Sequence, residues 1–349
     1  MNSKTIPTLA AALVVGAGGG AGMSIVLGGD GATRVIHAAP VQTATLRPAA
    51  ATSGALSINQ IYSSAKQGAV DIQVTTQSGR AEGSGFVLDT SGHIVTNEHV
   101  VSGAQALTVR FADGTRAPAK VIGADASDDV AVIQVSGVPA SKLSPLAFAD
   151  SSKVQVGSGV VAIGSPYGLK GTVTVGVISA LDRSIDSPNH STIAGAIQTD
   201  AAINHGNSGG PLLGGDGKVI GMNSQIDSGS GDNSGVGFAV PSNTVQRVVQ
   251  QIIAGARVQH AFLGIQVSDG SGGAQVGTVS PGSPAAGAGV QRGDLVTAID
   301  GTAVTGADAL VGAVQAHSPG DSITLTLSSG GSTHAVHVTL ANRPAATAS

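Results

Sequence analysis

Short β-branched runs separated by glycine-containing turns dominate the middle of this chain, a rhythm that predicts strands joined by tight connections. Strand signals begin at Val70. Gly83–Leu88 and His93–Asn97 flank the turn Asp89-Thr90-Ser91-Gly92 and predict a hairpin, and the connection Thr75–Arg80 before it is short. Further apolar runs follow at Ala106–Phe111, Val130–Val135, Gly159–Ile163, Val173–Ala180, Gly195–Thr199, Val219–Gln225 and Gly235–Val240. Two helical stretches bracket them. Ser57 caps a short one reaching Lys66, with Ile58, Ile61 and Tyr62 on one face, and a closing helix runs from Ser242 to about Ala254. Many short strands with one closing helix predict an all-β barrel or a pair of sandwiches.

After Gly255–Gln259 the rhythm changes. Phe262–Val267, Ala274–Ser280 and Asp294–Ile299 read as strands, and Ser283-Pro284 supply the N-cap and first position of a short helix that Gly287 and Gly289 close. Ala307–His317 reads as an amphipathic helix, and Ser322–Leu327 with Thr333–Leu340 as a hairpin turning on Ser329–Ser332. No internal repeat is visible. The N-terminal end differs again: Lys4 precedes an uncharged stretch from Ile6 to Gly29. As a helix it would reach roughly 36 Å, enough to span a bilayer, although its glycines weaken both helicity and hydrophobicity. We expect an uncleaved membrane anchor here, with a cleaved signal peptide cored by Leu9–Val15 as the alternative; both export the rest of the chain. The expected organisation is a signal or anchor over 1–29, a flexible Ala/Thr/Pro-rich linker over 30–56, a β domain over 57–255, a small α+β domain over 260–342 and a tail over 343–349.

Composition sharpens this picture. Tryptophan is absent, so the cores must be built from Val, Ile, Leu and Ala. With a net charge of −4 and no Lys/Arg block, nothing offers the concentrated basic face that nucleic acid requires. The chain has no cysteine, which excludes a thiol nucleophile, thiolate metal sites and disulfides. No His/Asp/Glu cluster has metal-ligand spacing, and neither a metal nor an organic cofactor is expected.

The strongest local signal is Gly206-Asn207-Ser208-Gly209-Gly210-Pro211. A nucleophilic serine needs an exposed hydroxyl and neighbouring amides free to face an oxyanion, and flanking glycines provide both. We assign the oxyanion hole to the amides of Gly206 and Ser208. The alternative of an α/β-hydrolase elbow fails, because Pro211, Gly214, Gly215 and Gly217 cannot begin the helix that elbow needs. Among nine histidines, His99 in Thr96-Asn97-Glu98-His99-Val100 stands at a strand end that can present an imidazole to a cleft. Asp129 heads the apolar run Val130–Ile133 and can be drawn into the interior to orient that imidazole; Asp128 is its solvated rival and Asp125 a weaker one. The order His, Asp, Ser matches the chymotrypsin arrangement and neither subtilisin nor the α/β-hydrolases.

Gln198–Leu212 resembles the active-site segment of the HtrA (Deg) serine proteases, and so, in order, do Thr96–Val100, Asp129–Ile133, Ala162–Gly168, Thr174–Ala180 and Gly237–Pro241. The resemblance covers residues 57–342. It implies a mainly β fold, with a two-barrel chymotrypsin-like protease domain followed by a small α+β PDZ domain. It further implies ATP-independent cleavage of unfolded or misfolded proteins, and commonly a homotrimer. Two positions depart from the family: His205 stands where Pro is usual, and Glu98 where a small or amide residue is usual. Both are expected to face solvent. Trypsin-like enzymes that cut after Lys or Arg carry an acid six residues before the nucleophile, where this chain has Ala202. Ala202, Ile203 and the loop Ile226–Gly235 are therefore expected to shape an apolar S1 pocket. In the PDZ-like region Phe262-Leu263-Gly264-Ile265 would take a peptide C-terminus, which would add as a strand opposite the helix Ala307–His317. A chaperone or peptide sensor with latent proteolysis is the competing class; an esterase rests only on the rejected elbow.

Overall fold

The structure, a computed structural model, describes residues 56–164, 171–186, 192–224 and 235–344 with side chains, and 11–13, 24–29 and 32–37 as backbone. The chain divides into two compact units, Met1–Ser53 and Gly54–Ser349. In the first, β1 (Ala11–Leu13), β2 (Ser24–Gly29) and β3 (Ala32–His37) form an antiparallel sheet in that order. This corrects the expected helix over Ile6–Gly29: its described parts are strands. Among the described residues no helix is long and apolar enough to cross a membrane. Of the expected flexible linker over 30–56, Ala32–His37 is a strand instead, and residues 30, 31 and 38–55 lie outside the described residues.

The second unit opens with α1 (Ile58–Ala65), started by a reciprocal cap in which Ser57 Oγ accepts from Gln60 N–H and the Gln60 side chain accepts from Ser57 N–H. Six strands then close a barrel: β4 (Ala69–Thr76), β5 (Gly79–Val87), β6 (His93–Thr96), β7 (Ala106–Arg110), β8 (Arg116–Asp125) and β9 (Val130–Val135). Between β6 and β7 lies the single turn α2 (Glu98–Val101). A second barrel follows from β10 (Gly159–Gly164), β11 (Thr172–Asp186), β12 (Thr192–Thr199), β13 (Pro211–Leu213), β14 (Val219–Ser224) and β15 (Gly237–Pro241), sealed by α3 (Ser242–Ile253). The strand orders, β4-β5-β6-β9-β8-β7 and β10-β11-β12-β15-β14-β13, are the same path walked twice. That repeat of topology left no repeat in the sequence.

The barrels share a core. Phe86, Val95, Val130 and Val132 from the first pack with Val161, Ile163, Leu213 and Met222 from the second and with Val245, Val248 and Ile252 of α3. Burying these side chains contributes on the order of 1.5–3 kcal/mol each before entropy is counted. It also joins the two barrels, and β5 of the first meets a loop of the second where Ser84 N–H donates to the Ser208 carbonyl at 2.8 Å.

The rest of the second unit comprises β16 (Ala261–Phe262), β17 (Ile265–Gly270), β18 (Gly273–Val279), α4 (Pro284–Gly287), β19 (Leu295–Ile299), β20 (Thr302–Ala303), α5 (Ala307–Gln315), β21 (Ser322–Ser329), β22 (Ser332–Thr339) and β23 (Ala341–Asn342). Its own core holds Leu263, Val276, Val296, Leu310, Leu325 and Val338. β17 is the edge strand of its sheet and lies against α5. The expected strand Phe262–Val267 is broken, because Gly264 turns at φ +84°. An added Cβ there would sit 2.1 Å from Ser283 Cβ, so the turn accepts only glycine. Ser184 Oγ of the second barrel donates to Asp308 Oδ1 of α5 at 2.7 Å, and a Cβ on Gly312 would approach Gly195 Cα to 3.0 Å. The helix thus lies flush on β11 and β12.

Candidate active site

His99 sits on α2, the helical turn immediately after β6, rather than at the strand end itself. The turn aims its imidazole at Asp129, which begins the approach to β9. His99 Nδ1 lies 2.8 Å from Asp129 Oδ2 and 3.0 Å from Oδ1, while His99 N–H donates to Oδ1 at 3.0 Å. Asp129 is fully buried and holds a left-handed backbone at φ +53°, a conformation aspartate tolerates better than most residues. Asn97 Nδ2 donates to the Asp129 carbonyl at 2.9 Å and supports that turn. Sequence reasoning missed Ser224: its buried hydroxyl donates to Asp129 Oδ2 at 3.2 Å from β14 of the other barrel. No local signal pointed to it; only the closure of the second barrel brings it there.

Ser208 is buried, and its Oγ makes no hydrogen bond among the described residues, His99 included. The loop nevertheless meets the His99 element directly. A Cβ on Gly209, which has φ +84°, would stand 2.4 Å from Thr96 Oγ1 and 3.1 Å from Asn97 N. Gly206 also needs a positive φ, +93°. The amides of Asn207, Gly209 and Gly210 donate to the carbonyls of Asn204, Asn223 and Asn207, each at 2.9 Å. Those of Gly206 and Ser208 donate to nothing among the described residues, which leaves them available to a developing oxyanion.

Ala202 is half-buried, and its carbonyl accepts from Thr174 Oγ1 at 3.0 Å and Asn207 Nδ2 at 3.2 Å. Ile203 is buried, and a Cβ on Gly237 would lie 2.6 Å from its Cγ1, so Gly237 leaves just enough room for that side chain. Of the expected loop Ile226–Gly235 all but Gly235 lies outside the described residues, as do the motif residues Ser165–Gly168. His205 is exposed as expected, whereas Glu98 is half-buried rather than solvent-facing.

Asp128 is corrected more strongly. It is 2% exposed, not solvated, and Arg247 Nη2 of α3 contacts its Oδ2 at 2.7 Å. His260 Nε2 lies 2.9 Å from Asp125 Oδ1, and its Nδ1 3.6 Å from Asp128 Oδ2. These three residues converge as metal ligands would, an arrangement that chain spacing hid because His260 comes from the domain junction. The Arg247 guanidinium already supplies the cation on Asp128. Burial raises the Asp128 carboxyl above its ordinary value despite Arg247. A carboxyl so raised adds stability at low pH and loses it as pH climbs through the raised value. Arg247→Met should therefore cost about 3–5 kcal/mol at neutral pH, where it strands a buried carboxylate, and less in acid. Urea denaturation at both pH values measures this; a neutral-pH loss under about 1 kcal/mol would show that the pair is not holding the loop.

At the PDZ-like loop the carbonyl of Leu263 accepts from Ala285 N–H at 3.0 Å and that of Gly264 from Ser280 N–H at 2.8 Å. The Leu263 and Gly264 amides make no hydrogen bond among the described residues. Phe262 and Ile265 are half-buried on either side.

Two six-stranded barrels of one topology, meeting at a His–Asp pair and a glycine-flanked serine, define a trypsin-like serine protease fold. Comparison with known proteins agrees. Residues 83–222 match the trypsin-like peptidase domain and residues 261–340 the PDZ domain. The chain is 39% identical to serine protease PepD of Mycobacterium tuberculosis, over 94% of this chain and 75% of that one. It is 41% identical to a probable periplasmic serine endoprotease DegP-like of Brucella suis, over 76% of this chain and 53% of the relative, so it spans about half the length of such relatives. The solved structure of the HtrA-type protease AlgW with a tripeptide superposes with TM-score 0.66 at 31% identity, covering 83% of this chain and 98% of that one. The chain belongs to the HtrA family of serine proteases, trypsin-like peptidases that carry a PDZ domain.

Proposed function

We propose that the protein is an extracytoplasmic endopeptidase that cleaves unfolded or misfolded polypeptides through an acyl-enzyme, with Ser208 as nucleophile. The observation that carries this reading is the His99–Asp129 pair beside a serine whose own amide, with that of Gly206, is unbonded. Ser208 Oγ attacks the scissile carbonyl as His99 takes its proton, and the carbonyl oxygen becomes an anion facing the Gly206 and Ser208 amides. His99 then protonates the leaving amine, and water releases the acyl group by the reverse path. Asp129, accepting from His99 and Ser224, holds the imidazole in the tautomer whose other nitrogen is free to accept the Ser208 proton. Ala202 and Ile203 line an S1 pocket for small or medium aliphatic side chains. The Leu263 and Gly264 amides take a peptide carboxylate, and the open edge of β17 takes the peptide as an added strand.

Protein quality control or stress response, a homotrimer, and attachment to a membrane through the N-terminal segment unless it is cleaved belong to the same reading. The periplasmic designation of relatives supports the location. The unbonded Ser208 hydroxyl favours a resting state that tightens around substrate, the point of contact with a peptide sensor whose proteolysis is latent. An organofluorophosphonate should label the wild-type protein on the peptide containing Ser208 and should leave His99→Ala unlabelled. Casein hydrolysis with the label elsewhere would overturn the assignment.

A further inference from the structure

We propose that Ser84, on β5 of the first barrel, is a positioning residue that aims the oxyanion amides of the second barrel. The inference rests on the reading of Ser208 as nucleophile and adds a residue that sequence analysis did not single out. Ser84 is 1% exposed. Its hydroxyl donates to the Gly206 carbonyl at 2.6 Å, and its amide donates to the Ser208 carbonyl at 2.8 Å. One residue therefore grips the backbone on both sides of Asn207, across the seam between the barrels.

A peptide unit is planar, so holding its carbonyl and its amide fixes its orientation. The unit joining Gly206 to Asn207 is held at its carbonyl by Ser84 Oγ and at its amide by the Asn204 carbonyl, 2.9 Å away. The unit joining Ser208 to Gly209 is held at its carbonyl by Ser84 N–H and at its amide by the Asn223 carbonyl, also at 2.9 Å. Between these two pinned units lies the one that carries the unbonded Ser208 amide. Its own carbonyl, that of Asn207, accepts from Gly210 N–H at 2.9 Å, and with both neighbouring units held the direction of its amide is set. Gly206 and Gly209, both at positive φ and without Cβ, impose no steric preference of their own, so the clamp supplies what side chains would otherwise restrict.

The clamp is itself anchored to the element bearing the base. Thr96 Oγ1 donates to the Ser84 carbonyl at 2.7 Å, and Thr96 precedes His99 by a few residues on β6. There is no slack: a Cβ on Gly209 would stand 2.2 Å from the Ser84 carbonyl oxygen, and one on Gly210 would stand 3.2 Å from Ser84 Cβ. Thr96, Ser84 and the nucleophile loop thus form one buried chain of hydrogen bonds linking the base's strand to the oxyanion amides.

Ser84→Ala frees the Gly206 carbonyl and touches neither His99 nor Asp129. It should lower kcat/KM for a chromogenic peptide by about 10- to 100-fold, most of it in kcat, below the roughly 10²–10³ that loss of an oxyanion donor itself costs. Affinity for a peptide boronic acid, whose Ser208 adduct is tetrahedral and anionic, should fall by the same factor. The inhibition constant of the corresponding product peptide should move less than twofold, and the acidic limb of the pH–rate profile should stay in place. A merely structural serine would move neither kcat nor the boronate selectively once the fraction folded is accounted for. Boronate and product affinities changing together, or an unchanged kcat, would overturn the proposal. If Ser84→Ala does not fold, Ser84→Cys, close in volume and a feeble donor, and Thr96→Val carry the same comparison. Ser208→Ala assayed alongside separates the two readings. Hydrolysis surviving in it would sink the nucleophile assignment, whereas an inactive Ser208→Ala beside a Ser84→Ala equal to wild type would sink the clamp alone.

Discussion

Ser208→Ala should abolish casein hydrolysis, with kcat falling on the order of 10⁶-fold and leaving the residue of rate that binding and oxyanion stabilisation provide without a nucleophile. The same variant should be at least as stable as the wild type. Ser208 is buried with an unpartnered hydroxyl, and deleting such a group removes a desolvated polar atom without breaking any bond in the fold. Calorimetry and turnover therefore have to be read together. An inactive protein with an unchanged or raised Tm is the signature of lost chemistry. A variant that hydrolyses casein at more than about a hundredth of the wild-type rate would refute the assignment.

Asp129→Asn should lower kcat by about 10⁴-fold at neutral pH. The carboxylate receives three donors: His99 N–H at 3.0 Å, the His99 ring at 2.8 Å and Ser224 Oγ at 3.2 Å. An amide in its place offers one accepting oxygen and an NH₂ group that must face one of those donors. The arrangement that relieves the conflict turns His99 into the tautomer with its proton toward Ser208, which cannot accept the serine's proton. Proton NMR of the imidazole N–H reports the tautomer directly. A loss smaller than tenfold in kcat, with the tautomer unchanged, would show that the pair only braces the fold.

The strand-rich core was legible because buried strands write themselves into the sequence as short apolar runs. Val130–Val135 is a strand over the expected residues, and the helix from Ser242 ends within a residue of expectation. The turn around Ser208 was legible for a similar reason: positive φ at Gly206 and Gly209 demands glycine, and glycine is visible in a sequence. Arg116–Asp125 went unseen. That strand is half-exposed, with a register shift between Val121 and Gly123, so its polar and apolar positions do not alternate cleanly. α2 was hidden because a single helical turn has no period to detect. Asp128 was misjudged because its partners, Arg247 and His260, lie far along the chain, and burial of a charge depends on where its counter-charge folds.

By itself, the order of residues determined the class of this protein, most of its buried strands and where glycine must stand, and it singled out His99, Asp129 and Ser208 as candidates. These are local properties, set by the conformational and solvation preferences of a few consecutive residues. Only the tertiary structure decided that one strand path is walked twice, that Ser224 reaches Asp129 from the opposite barrel, and that Ser84 grips the loop around Ser208, which it precedes by most of the protease domain. Those contacts join residues far apart in the chain, and a hydrogen bond between such residues has no trace in either neighbourhood until packing of the shared core brings them together.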